Sequence, residues 1–105
     1  MVKISESELP LVTEAVLIWT GLGSSAWPRR NGALLLDRFD PETASRLYAL
    51  IKSLESEFYS SDAWKTATDL QEMGRISSEA FKKLHPDVSD QVVRALAWCY
   101  TYDYR

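Results

Sequence analysis

One cysteine, one histidine, four glycines and four prolines among 105 residues leave out several kinds of protein from the start. A lone Cys99 cannot form an internal disulfide, so stability must come from packing. A reducing compartment such as the cytoplasm is the expected location. A zinc site draws on about four closely spaced Cys, His or carboxylate ligands. His85 and Cys99 do not supply them, so no metal is expected. The glycines form no phosphate-binding loop: Gly21-Leu22-Gly23 follows a helix rather than a strand and lacks the lysine such loops use, so it reads as a stop signal. No cofactor is expected.

A basic excess is also missing. Twelve basic side chains against fifteen acidic ones give a net charge of -3. Nucleic-acid binding wants a basic face, so no direct nucleic-acid partner is expected. The longest apolar run, Ala15 to Trp19, falls far short of the roughly 20 residues that span a bilayer. Met1 to Glu8 is charged and serine-containing, without the apolar stretch of a signal peptide. The expectation is a soluble intracellular protein with no membrane partner.

What is present is material for a core. Four Trp, five Tyr and three Phe argue for an ordered chain. The length suits one domain spanning residues 1–105. Leu9, Leu11, Val12, Ala15, Val16, Leu17, Ile18 and Trp19 predict a first helix from about Ser7 to Thr20, buried on more than one side. Ser5 and Glu8 have capping-box spacing. Pro41 to Tyr59 is the clearest amphipathic helix, with Asp40 as cap and Pro41 at its first position. Ala44, Leu47, Tyr48, Ile51, Leu54 and Phe58 recur at helical spacing. Ser60-Ser61-Asp62 is a break and a new cap. A helix from Ala63 to about Met73 follows, with Trp64, Ala67 and Leu70 inward and Gly74 as its stop. A short helix opens at Ser77-Ser78-Glu79 and ends at His85-Pro86. A last apolar helix starts near Asp87 or Ser89. Ala33 to Phe39 fits either a short helix or a short buried strand. The fold expected is all-α: one compact bundle of about five helices, with the apolar N- and C-terminal helices central.

The chemistry-bearing residues are few. Cys99 lies in the most apolar helix and reads as a buried structural thiol. His85 sits at a helix junction and reads as a residue that interacts with the preceding helix end or closes a turn. Glu55 and Glu57 are two apart and do not face each other on a helix. No catalytic residue is assigned. A helix-turn-helix can be drawn through Ala63–Met73 and Glu79–Leu84, or through Glu79–Leu84 and Ser89–Tyr100, but neither second helix carries a basic stripe.

Three features point to binding instead. Trp27-Pro28-Arg29-Arg30 lies in the irregular segment from Leu22 to Asn31. Trp and Arg are enriched in interface hot spots, although Trp27 plugging the core, with Arg29 and Arg30 paired to surface acids, is the commoner use of such residues. Glu55, Glu57 and Asp62 form an acidic skew suited to a basic partner. Tyr102, Asp103 and Tyr104 end the chain with tyrosines of the kind found in binding surfaces, or fold back on the first helix.

Taken with the size, the mild acidity and the helical pattern, the C-terminal half looks like that of small helical immunity proteins from bacterial toxin systems. It runs from Glu57-Phe58-Tyr59 through His85-Pro86 to Ala97-Trp98-Cys99-Tyr100-Thr101-Tyr102-Asp103. The resemblance implies a non-enzymatic inhibitor that plugs or covers a cognate toxin, with a basic domain such as a nuclease as the implied partner. An adaptor or regulatory interaction domain is the alternative. A small DNA-binding regulator and a small enzyme are lesser ones.

Overall fold

A computed structural model describes residues 3–104. Met1, Val2 and Arg105, the last of which belongs to the expected tail, lie outside the described residues. Among these residues there are five α-helices and no strand: α1 (Leu9–Thr20), α2 (Pro41–Tyr59), α3 (Ala63–Thr66), α4 (Leu70–Leu84) and α5 (Asp90–Asp103). Short 3₁₀ segments, Glu6–Glu8 and Gly32–Asp37, precede α1 and α2.

Pro10 sits in the first turn of α1, where a missing N–H costs nothing. Ser5 does not cap the helix through its side chain; its hydroxyl meets the Glu8 carboxylate instead. Gly21 ends α1 with φ +81°, and its N–H reaches the Leu17 carbonyl. Asp40 caps α2 by accepting from the Thr43 N–H at 3.1 Å. Ala44, Leu47, Ile51, Leu54 and Phe58 form the buried stripe of α2. Tyr48, expected inward, is 40% exposed and lies against Gly32.

The stretch after α2 departs from the sequence reading. Asp62 takes a left-handed conformation and makes no side-chain cap. The helix that follows is a single turn, and Trp64 on it is 51% exposed rather than inward. The chain extends at Ala67 and restarts at Asp69, whose carboxylate accepts from the Glu72 N–H at 2.7 Å. From there α4 continues to Leu84 through Gly74. Gly74 is not a stop. A Cβ there would meet the Thr101 methyl carbon at 3.2 Å, so the glycine lets α4 approach α5 closely. The helix pair drawn as Ala63–Met73 and Glu79–Leu84 is thus one turn plus one continuous helix.

The 33–39 stretch is mostly 3₁₀, capped by the Asn31 side chain accepting from the Ala33 N–H. It buries Leu35 completely and leaves Leu36 56% exposed. Of the two expected forms the short helix holds, as a tight 3₁₀ turn sitting on the core, and the buried strand does not.

The α5 helix packs against α1, α2 and α4. It runs antiparallel to α4, as Gly74 facing Thr101 and Lys82 pairing with Asp90 require. It runs in the same direction as α1: Thr13 meets Ser89 near the start of both helices, and Arg30, beyond the end of α1, meets Asp103 at the end of α5. Phe58 contacts both Phe81 and Tyr100, with ring centroids 5.3 and 5.7 Å apart. Full burial of each such side chain contributes about 1.5–3 kcal/mol. The Trp19 indole N–H and the Tyr100 hydroxyl are buried in this core without a hydrogen-bond partner.

Candidate functional site

The segment between α1 and α2 is polar and turn-rich, yet firmly tied to the bundle. Its backbone returns onto the end of α1, with Arg29 N–H donating to the Thr20 carbonyl and Asn31 N–H to the Trp19 carbonyl. Pro28 is buried at this point, and Trp27 beside it is 59% exposed. The expected core plug is therefore Pro28, not Trp27. The smaller apolar ring fits beneath the loop, and the indole projects outward. Ser25 brackets Trp27, its hydroxyl donating to the Trp27 carbonyl at 2.8 Å and accepting from the Trp27 N–H at 3.4 Å.

Arg30 anchors the far side of the loop. Its guanidinium donates to both carboxylate oxygens of Asp103, at 2.7 and 2.8 Å. Tyr59 donates its hydroxyl to the same carboxylate. Glu55 stands 4.0 Å from Arg30 and 2.8 Å from Lys52, whose ammonium lies 5.6 Å from the centroid of the Trp19 ring. These side chains, with Ser56, line an open groove of about 430 Å³. Burial raises the pKa of the Asp103 carboxyl, but the bonds from Arg30 and Tyr59 outweigh it and leave it below the ordinary value. The bond to Asp103 raises the Arg30 pKa. Burial raises the pKa of the Tyr59 phenol, and its bond to Asp103 adds to this. The groove thus holds a fixed ionised pair with a neutral phenol attached.

Of the residues singled out from sequence, Arg30, Glu55 and Asp103 converge here from three parts of the chain. Trp27 and Arg29 are exposed on the adjoining loop, with Arg29 donating to Ser24 at 3.2 Å. Tyr104 is 45% exposed and rests against Tyr100. The others go elsewhere. Glu57 meets the Nε2 of His85, which is 7% exposed, packs its ring at a tilt against Phe81 and closes α4. Asp62 is exposed, 3.9 Å from Lys65. Tyr102 borders a separate shallow hollow with Leu70, Gln71 and Thr101. Lys52, Tyr59 and Trp19 join the groove without being among the residues that the sequence marks as binding candidates. Lys52 and Tyr59 lie on α2 one turn either side of Glu55, which is the signal that could have found them.

Cys99 is buried, and burial pushes its thiol up to about 12, which leaves it unreactive in the folded chain. Among the described residues, no group of three or more His, Cys, Asp or Glu side chains is placed to hold a metal ion. Also among them, no helix is long and apolar enough to cross a membrane. No family model matches this chain, no curated protein matches its sequence, and no solved structure matches its fold.

Proposed function

We propose that this protein is a non-catalytic binding domain that recognises another protein through the loop between α1 and α2, acting as an immunity-type inhibitor of a bacterial toxin. The observation that carries the binding reading is Trp27. A large indole, 59% exposed, stands on a loop held by Ser25, by the end of α1 and by the Arg30–Asp103 pair. An aromatic anchor carried on a backbone fixed before contact pays less ordering entropy on binding, and Trp is among the residue types enriched in interface hot spots. The inhibitor role rests on the resemblance of the C-terminal half to immunity proteins. A toxin is the partner class that this resemblance implies.

The test is affinity capture from the source cells with the wild-type chain and Trp27→Ala, with bound proteins identified by mass spectrometry. A toxin retained by the wild type and lost by Trp27→Ala supports the reading. A toxin bound equally by both removes Trp27 from the interface. Trp27-dependent capture of a non-toxin only makes the domain an adaptor.

A further inference from the structure

We propose a second docking surface, for a lysine- or arginine-bearing segment of another protein that carries an aliphatic side chain. It is the shallow hollow of about 280 Å³ where the 3₁₀ segment meets α2. Gly32, Ala33, Ala44 and Ser45 contribute little bulk there, while Leu36 and Tyr48 contribute large side chains that are 56% and 40% exposed. Gly32 is required for this shape: a Cβ on it would come within 2.9 Å of the Tyr48 ring. Adjacent exposed apolar side chains around a concavity are the pattern of an interaction site rather than of ordinary surface.

Charge selects the occupant. The stretches that line the hollow also carry Asp37, Asp40, Glu42, Arg38 and Arg46. Both arginines are engaged by acids at or before α1, Glu14 within that helix and Glu8 in the 3₁₀ segment ahead of it. Arg46 bonds Glu8, and Arg38 Nε lies 2.8 Å from Glu14 Oε1, close enough for charge pairing though not aligned as a hydrogen bond. Among the described residues, none of the three carboxylates has a cation within ion-pair distance. In the chain Asp37 adjoins Leu36, and Asp40 and Glu42 flank Pro41, so negative charge without an ion-pair partner borders lining residues of the hollow, and a basic segment is favoured there by steering. By contrast, Glu55 and Glu57, the acidic residues expected to meet a basic partner, are already held by Arg30, Lys52 and His85. Trp27 is not among the lining residues, so this surface goes beyond the proposed function and does not depend on it.

The test uses two probes: a short amphipathic peptide of leucine and lysine, and its counterpart with glutamate in place of each lysine. Each is titrated into the isotope-labelled full chain, and backbone amide shifts are followed. The lysine peptide is expected to shift amides within residues 32–48. Its affinity should fall several-fold as salt rises past about 0.15 M. Leu36→Ser should weaken it about tenfold, the loss expected for one exposed leucine-sized contact. Asp37→Asn combined with Glu42→Gln should weaken it several-fold, and Trp27→Ala should leave it unchanged. Lack of binding, shifts confined to other residues, or equal binding of the glutamate peptide would overturn the proposal. So would concentration-dependent shifts of the same amides without peptide, which would assign the hollow to a second copy of this chain. Failure of Trp27-dependent capture with the hollow intact would sink only the proposed function.

Discussion

Arg30 and Asp103 lie 73 positions apart in the chain and face each other through two parallel hydrogen bonds. Arg30 adopts φ +47°, a conformation non-glycine residues seldom take. Such strain persists where surrounding contacts over-determine it. Here the contact is a forked, charge-assisted pair, among the stronger kinds of hydrogen bond. Asp103→Asn should cost about 1 kcal/mol of stability and raise the mobility of the 21–31 loop. Chemical denaturation and backbone relaxation would check the two effects.

The same pair predicts a pH dependence. Burial acts to raise the Asp103 pKa, and the bonds from Arg30 and Tyr59 lower it further than burial raises it. The unfolded carboxyl, near about 3.9, takes up its proton at a higher pH than the folded one. The contribution is therefore fully present above that value and is lost as pH falls through the lower folded value. Wild type and Asp103→Asn should converge in stability on acidification. A gap between them that persists well below pH 4, or widens there, would contradict this.

Cys99 offers a probe of opening. Its thiol is fully buried and pushed up to about 12 by that burial. Alkylation by iodoacetamide at pH 8 should be far slower in the native chain than in denaturant. The native rate should rise as urea approaches the unfolding midpoint, because exposure requires opening the core.

Gly74 shows how a local signal misleads. In sequence a glycine after Met73 reads as a helix stop. In the fold it stands inside α4, in close approach to the Thr101 methyl group of α5. Gly74→Ala should gain up to about 1 kcal/mol of helix propensity and lose part of it to this contact. In a Thr101→Ser background the methyl is gone, while a hydroxyl remains to bond the Ala97 carbonyl as Thr101 does. There Gly74→Ala should be stabilising by about 0.5–1 kcal/mol. Thermal melts of the four variants would measure the coupling.

Much of the architecture is written in periodicity and capping. The α2 helix begins at its Asp40 cap and buries most of the expected stripe, and Ser89 caps α5 by accepting from the Val92 N–H. What local pattern cannot carry is what stands opposite a residue. Trp64, Ala67 and Leu70 keep a helical spacing across the extended residue Ala67, so spacing alone hides the Asp69 cap. Tyr48 shares the spacing of the α2 stripe but turns to Gly32. The groove joins side chains from the α1–α2 loop, α2 and α5, so its convergence depends on helix packing rather than on spacing.

Trp27 is where burial and binding make opposite predictions. A tryptophan plugging a core loses about 3–5 kcal/mol on truncation to alanine. Trp27 is 59% exposed, with Pro28 buried beside it. Trp27→Ala should therefore change stability by no more than about 0.5 kcal/mol, as for an ordinary surface position. Pro28→Ala, which empties space at the loop base and frees the backbone, should cost more than Trp27→Ala does. Matched thermal melts decide the order. A collapse of Trp27→Ala with Pro28→Ala intact would put the indole in the core and remove the exposed anchor on which partner recognition rests.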